Sequence, residues 1–226
     1  SLRATLTSAI RNPTLLNQYM YYNVGRAKLV GNISGYDSLV TIESLRDYYY
    51  TQNPDTLSYF NLDPIAPEEV KSVEFGYRGV LFKNLYVDMN YYFNSYTNFI
   101  GFTTGADITI LQSGFVVNDV YRIATNSRER ITTQGATVGL NYYLGDHYAI
   151  NGNYSWNVLN KKSDDPIIPA YNTPEHKFNI GFRGRDLAIK KFKGFGFNVN
   201  YKWIEGFIFE GSPQFTGSVP TYGLLD

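Results

Sequence analysis

Cysteine is absent from all 226 residues, which excludes a disulfide framework and any zinc–thiolate centre. Histidine is almost absent: only His147 and His176 occur, and neither has a second ligand at metal-site spacing. No run of 18 apolar residues exists, so a membrane-spanning helix is excluded. Neither sign of charge is in excess, with 20 basic and 20 acidic residues; a nucleic-acid binder usually carries a basic surplus or stripe. Phosphate-cradling Gly-rich loops and nucleophile elbows are missing as well. No signal peptide opens the chain, which begins "SLRATLTSAI" and is already alternating. The expectation is either a cytoplasmic protein or an N-terminus that is not the natural one.

What is abundant is aromatic: 21 tyrosines and 15 phenylalanines. They fall in a pattern. In "GFGFNVNYKW", Phe195, Phe197, Val199, Tyr201 and Trp203 share one side, and Gly196, Asn198, Asn200 and Lys202 the other. A period of two is that of a β-strand with unlike faces. The same alternation runs through Val73, Phe75 and Tyr77; through Val87, Met89, Tyr91 and Phe93; and through Ala136, Val138, Leu140 and Tyr142. It returns in Ile150, Gly152, Tyr154 and Trp156, and in Phe178, Ile180 and Phe182. Leu2, Ala4 and Leu6 mark a weaker first strand. No segment shows a helical period, so the expected fold is all-β with seven or eight strands.

Short and long connections alternate. Leu81–Asn84 and Gly145–His147 are tight turns, and "RDLAIKKFKG" is a somewhat longer link. Between them lie long segments: Arg11 to Ala66, Gly101 to Arg130, Lys161 to Thr173 and Ile204 to Gly217. An up-and-down antiparallel sheet then carries its tight turns at one end and its long loops at the other, as transmembrane β-barrels do. Along Tyr148–Val158 and Gly194–Trp203 the outward order is aromatic, aliphatic, aromatic, which suits two headgroup layers around a hydrocarbon slab. Alternation alone fits a soluble β-sandwich equally well. Connection asymmetry and aromatic order favour a barrel whose rings face lipid and whose asparagines face a wet bore.

Several stretches resemble the barrel of TonB-dependent outer-membrane receptors of the Bacteroidetes type. They are "RNPTLLNQYMYYNVG" (Arg11–Gly25), "PEEVKSVEFGYRGVLFKNLYVDMNYYFNSYTNFI" (Pro67–Ile100), "TTQGATVGLNYYLGDHYAINGNYSWN" (Thr132–Asn157) and "NTPEHKFNIGF" (Asn172–Phe182). The resemblance implies a segment, residues 1–226, of a plugged 22-stranded transmembrane barrel. On this resemblance, the signal peptide, the plug and the closing C-terminal strands of such receptors are expected to lie outside residues 1–226. It also implies active import of a nutrient (an iron chelate, an oligosaccharide or a peptide), binding rather than catalysis, and no cofactor. The implied partners are the lipid bilayer, the TonB complex acting through the plug, the nutrient itself and a surface lipoprotein. Two other readings stand beside it: a complete eight-stranded outer-membrane barrel with an adhesive or structural role, and a soluble β-sandwich binding module.

Candidate ligand-binding residues are few. Arg11 and Asn12 belong to "RNPT", which touches substrate or plug by resemblance, although Pro13 equally serves to start a loop. Tyr19, Tyr21 and Tyr22 lie in the first long segment with Tyr48, Tyr49 and Tyr50, where rings suit stacking on a ligand or packing of the loop on itself. Arg128 and Arg130 flank Glu129 in "NSRERITT" and read as a rim charge cluster. Glu68–Glu69 reads as a solvated strand entry. Asp164–Asp165 lacks the spacing of a calcium loop. No catalytic residue and no metal ligand set is expected.

Overall fold

The computed structural model describes residues 1–111, 114–160, 171–189, 192–210 and 216–226. Strand β1 (Leu2–Arg11) is followed by a long excursion. The excursion holds helix α1 (Leu15–Tyr19), strands β2 (Tyr21–Asn23), β3 (Lys28–Val30) and β4 (Tyr36–Thr41), helix α2 (Ile42–Thr51) and strand β5 (Tyr59–Leu62). Strands β6 (Glu68–Leu81) and β7 (Leu85–Thr97) form a hairpin, and β8 (Ile100–Leu111) and β9 (Gly114–Asn126) form another. The chain continues through β10 (Ile131–Leu144), β11 (Tyr148–Asn160), β12 (His176–Ile189) and β13 (Phe192–Ile204). It ends with β14 (Phe207–Glu210), β15 (Thr216–Val219) and β16 (Tyr222–Leu225).

Eight of these strands form one antiparallel sheet in the order β1-β6-β7-β10-β11-β12-β13-β16. Its register aligns the apolar positions row by row. Leu2, Tyr77, Met89, Val138, Tyr154, Phe178 and Trp203 are successive cross-strand partners. One residue away the row is Arg78, Asp88, Gly139, Asn153, Asn179 and Lys202. Parity written into each strand therefore becomes one apolar face and one polar face across the whole sheet. No second sheet covers the apolar face: Phe195 is 47% exposed, Val199 46% and Ile180 52%. That excludes the β-sandwich, in which those side chains would be sealed between two layers. The sheet is open, with β1 and β16 at its edges, so it does not close on itself as an eight-stranded barrel.

The first two long segments are not irregular loops. Parts of the first two fold into a second sheet, ordered β2-β3-β9-β8-β4-β5, which caps the long-connection end of the first. Strands β7 and β8 are separated only by Asn98 and Phe99, and β9 and β10 by residues 127–130. Together they make one long hairpin whose lower half belongs to the large sheet and whose upper half leaves it. Asn98 takes the left-handed backbone that the change of direction requires (φ 54°). Within the cap, Val30, Leu39 and Ile123 form a buried cluster against Tyr36, Phe60, Leu62 and Tyr121. At roughly 1.5–3 kcal/mol for each fully buried aliphatic side chain, this small core holds the cap together. The large sheet has no aliphatic centre of that kind among the described residues, because its apolar side faces outward.

Helices occur too, against expectation. Thr14 caps α1 in a reciprocal box with Asn17, and Thr41 caps α2 by accepting from the Ser44 backbone N–H. Helix α2 buries only Ser44 and Tyr48, one turn apart, and Tyr48 packs on Phe115 at 5.2 Å between ring centroids. A stripe that narrow, beside the exposed Tyr49 and Tyr50, leaves no readable period of 3.6. No helix among the described residues is long and apolar enough to cross a membrane. The link "RDLAIKKFKG" also differs from expectation. Strand β12 runs on to Ile189 and β13 begins at Phe192, with register shifts after Gly184 that absorb Arg185 and Asp186 as a bulge. Its Lys190 and Lys191, and the Asp164–Asp165 pair, lie outside the described residues.

Candidate functional site

The junction of the two sheets is built from polar groups distant in sequence. Glu68, at the start of β6, is 4% exposed. Its carboxylate accepts from the Arg11 guanidinium at 2.6 Å and from the Ile100 backbone N–H at 2.9 Å, so one side chain ties together β1, β6 and β8. This corrects the expectation of a solvated strand entry: a carboxylate is buried only when its charge and lone pairs are answered. Asn126 performs the matching task on β9. Its amide donates to the Ala66 and Asn98 carbonyls at 2.9 and 2.7 Å, and its Oδ1 accepts from the Ala66 N–H at 2.7 Å. These bonds tie the cap to the large sheet.

Beside this junction opens a cleft of about 1000 Å³. Helix α2 contributes Glu43 and Asp47, the β5 region contributes Tyr59, Asn61 and Asp63, and β8–β9 contribute Thr103 and Thr125. Arg128 closes one side and donates to the Asn61 carbonyl at 3.3 Å. Thr103 and Thr125 form a buried floor at 4% and 5% exposure. Its size is that of a pocket able to enclose a small organic molecule. Carboxylates, hydroxyls, amides and a ring suit reversible binding. Among the described residues no trio of histidine and acidic side chains gathers to hold a metal ion.

Elsewhere in the cap, Lys28 on β3 meets Asp119 on β9 at 2.6 Å. The hydrogen bond between them holds the Asp119 carboxyl below its ordinary range and raises the Lys28 ammonium above its own. Tyr121 donates to the same carboxylate at 3.1 Å, and burial first, then that bond, pushes its hydroxyl up. This cluster locks the parallel β3–β9 pairing.

The polar face of the large sheet leads away from the cleft. Asn94 donates to Thr133 at 3.0 Å, and the Tyr92 hydroxyl donates to Asn157 at 2.8 Å. Nearer the tight turns, Gly139 borders a hollow lined by Asn141, Asn151, Asn153 and Asn179, and Gly181 makes room for the amides of Asn151 and Asn200. A Cβ on Gly181 would fall 2.2 Å from Asn200 Oδ1, so the missing side chain is what lets that amide lie across the sheet.

Of the residues singled out from sequence, Arg128 lines the cleft. Arg11 is engaged with Glu68; Asn12 and Arg130 are exposed outside the cleft lining. Tyr19, Tyr21 and Tyr22 are exposed on α1 and β2, away from the cleft-lining residues. His147 sits in its turn near the Arg185 carbonyl, and His176 stacks on Tyr154. Sequence reading missed Glu43, Asp47, Asp63, Thr103 and Thr125. Each is an ordinary polar residue until pairing of distant strands brings them together, and only the Thr41 cap with Glu43 after it carried a local signal.

Among curated proteins none matches this chain. Solved structures that share its fold include the copper transporter OprC, with TM-score 0.59 at 15% identity, and the siderophore receptor PirA from Acinetobacter baumannii, with 0.56 at 13%. Each match covers 99% of this chain, which spans 27% and 31% of those chains respectively. The family model for the TonB dependent receptor-like β-barrel matches residues 1–226. With its outward apolar face, polar inner face and one-sided tight turns, this chain belongs to the TonB-dependent receptor β-barrel family.

Proposed function

We propose that this chain supplies wall and extracellular cap to an outer-membrane importer, and that a nutrient is first held in the cleft between α2 and the β8–β9 ribbon. One observation carries the reading: segments leaving the barrel sheet at its long-connection end build a cored cap with an open polar cleft. The polar inner face below it offers a hydrated route, and the apolar outer face suits acyl chains. Strands of 13 or 14 residues are long enough for a tilted crossing of a ~30 Å core. In this reading a plug closes the bore, and TonB acting on that plug supplies the work. The chain's own chemistry is binding, with no catalytic step.

The absence of cysteine makes the orientation directly testable. In the full-length receptor, kept free of other cysteines, Tyr49→Cys lies in the cap and Phe82→Cys at a tight turn, 65% and 87% exposed respectively. A membrane-impermeant maleimide added to intact cells should label the first and spare the second until the cells are lysed. Labelling of the Phe82 site from outside would invert the topology and remove the cleft from the ligand's path. Growth on a nutrient panel should then show at least one source that needs both this receptor and TonB.

A further inference from the structure

We infer that the cap cleft takes a cationic ligand: an alkylammonium-bearing molecule rich in hydroxyl or amide groups. The inference rests on the cleft being the nutrient's first holding place. Three carboxylates line it, Glu43, Asp47 and Asp63, against the single guanidinium of Arg128. Arg128 is turned to the Asn61 carbonyl, and the nearest cation to Asp47 is Arg46 at 4.0 Å. Glu43 and Asp63 form no ion pair among the described residues. The cleft is therefore net negative, and an anionic chelate entering it meets repulsion.

The floor points to a ligand independently of charge. Thr103 and Thr125 are more than nine-tenths buried, they line the cleft, and neither hydroxyl has a hydrogen-bond partner among the described residues. Neither hydroxyl oxygen is among the buried atoms that lack a partner, so both open into the cleft, where each can donate and accept. Two such groups under a carboxylate rim match a molecule that brings hydroxyl or amide groups inward and an ammonium to the rim, where charge-assisted bonds form. The N-terminus of α2 also borders the cleft, but it does not favour an anion. Thr41 Oγ1 already accepts from the Ser44 N–H, and Glu43 sits in the first turn. Two sources share the ligand chemistry: a lysine-bearing oligopeptide and an amino-sugar oligomer.

Isothermal titration of the purified full-length receptor separates them, using trilysine against triglycine, a chitosan tetramer against its N-acetylated form, and ferric citrate as the anion. At least one cationic probe should bind about tenfold or more tighter than its neutral analogue, because each close carboxylate contributes roughly fivefold at a wet surface. The winning cation identifies the source. Glu43→Gln with Asp47→Asn should weaken that probe about tenfold; both positions are exposed, so the fold survives. Thr103→Val should weaken it several-fold, and Thr103→Ser should restore it. Equal binding of neutral analogues, tighter binding of ferric citrate, no cationic binding at millimolar concentration, or indifference to the double substitution would each overturn the inference. The importer reading would stand in any of those cases, since labelling topology and dependence on TonB test it separately.

Discussion

Placing arginine on either face of β10 measures the orientation of the large sheet energetically. Val138 sits mid-strand on the apolar face between Met89 and Tyr154. Asp146, at the tip of the tight turn, is eight residues further on. At about 3.3 Å per residue and roughly 40° of tilt, that places Val138 about 20 Å above the tip, close to the bilayer midplane. Val138→Arg should therefore cost about 2–4 kcal/mol, a loss of roughly 30- to 700-fold in the ratio of folded to unfolded receptor. Leu144→Arg, on the same face beside the turn, should cost only about 0–1 kcal/mol. Asn141→Arg points the other way, between Tyr86 and Asn151, into the hydrated bore, and should leave stability nearly unchanged. The assay is denaturant unfolding of the full-length receptor in lipid vesicles, comparing midpoints across the three variants. A loss at Asn141 equal to that at Val138, or none at Val138, would refute the face assignment and the transmembrane reading with it.

Three further perturbations probe the junction, the bore and the cap. Glu68→Ala removes the acceptor shared by Arg11 and the Ile100 N–H; we expect a loss of about 2–3 kcal/mol, discounted because Arg11 is 57% exposed, and faster hydrogen exchange at Ile100. Gly135→Val should cost about 1–3 kcal/mol by overpacking, since a Cβ there falls 2.5 Å from the Trp156 carbonyl and 2.7 Å from the Tyr92 ring; a lowered unfolding temperature checks it. The Lys28–Asp119 pair sets a pH window. Asp119 is depressed below its ordinary 3.8 and Lys28 raised above its ordinary 10.5. The carboxylate's contribution is present above pH 3.8 and lost as pH falls through the lower folded value; the lysine's is present below pH 10.5 and lost as pH rises through the higher one. Exchange protection at the β3–β9 ladder should hold level from about pH 5 to 9 and fall at both extremes. In Asp119→Asn the acid fall should vanish and the alkaline fall should shrink, since Tyr21 still supports the Lys28 charge.

Face assignment was legible in the sequence because a strand's two sides follow from a period of two, a property of adjacent residues that needs no knowledge of neighbours. Val138 and Asn141 declare opposite sides wherever the strand is placed, and the tight turns at Leu81–Asn84 and Gly145–His147 then set which strands pair. The resemblance of whole hairpins to receptor barrels used the same local information. The cap was not legible, for a physical reason. Its parallel β3–β9 pairing joins segments about ninety residues apart, its strands are as short as three residues, and helix α2 buries only two side chains. Alternation puts Glu68 and Glu69 on opposite faces, but only the pairing with β1 and the approach of β8 seal Glu68 against Arg11 while Glu69 stays exposed. The sequence alone determined that this chain is a two-faced antiparallel sheet with turns on one side. Tertiary structure decided that its excursions would fold back into a cored cap, and so brought Glu43, Asp63, Thr103 and Arg128 around one cleft. The first depends on alternation along the chain, and the second on long-range contacts whose closure entropy is offset only when all of them form together.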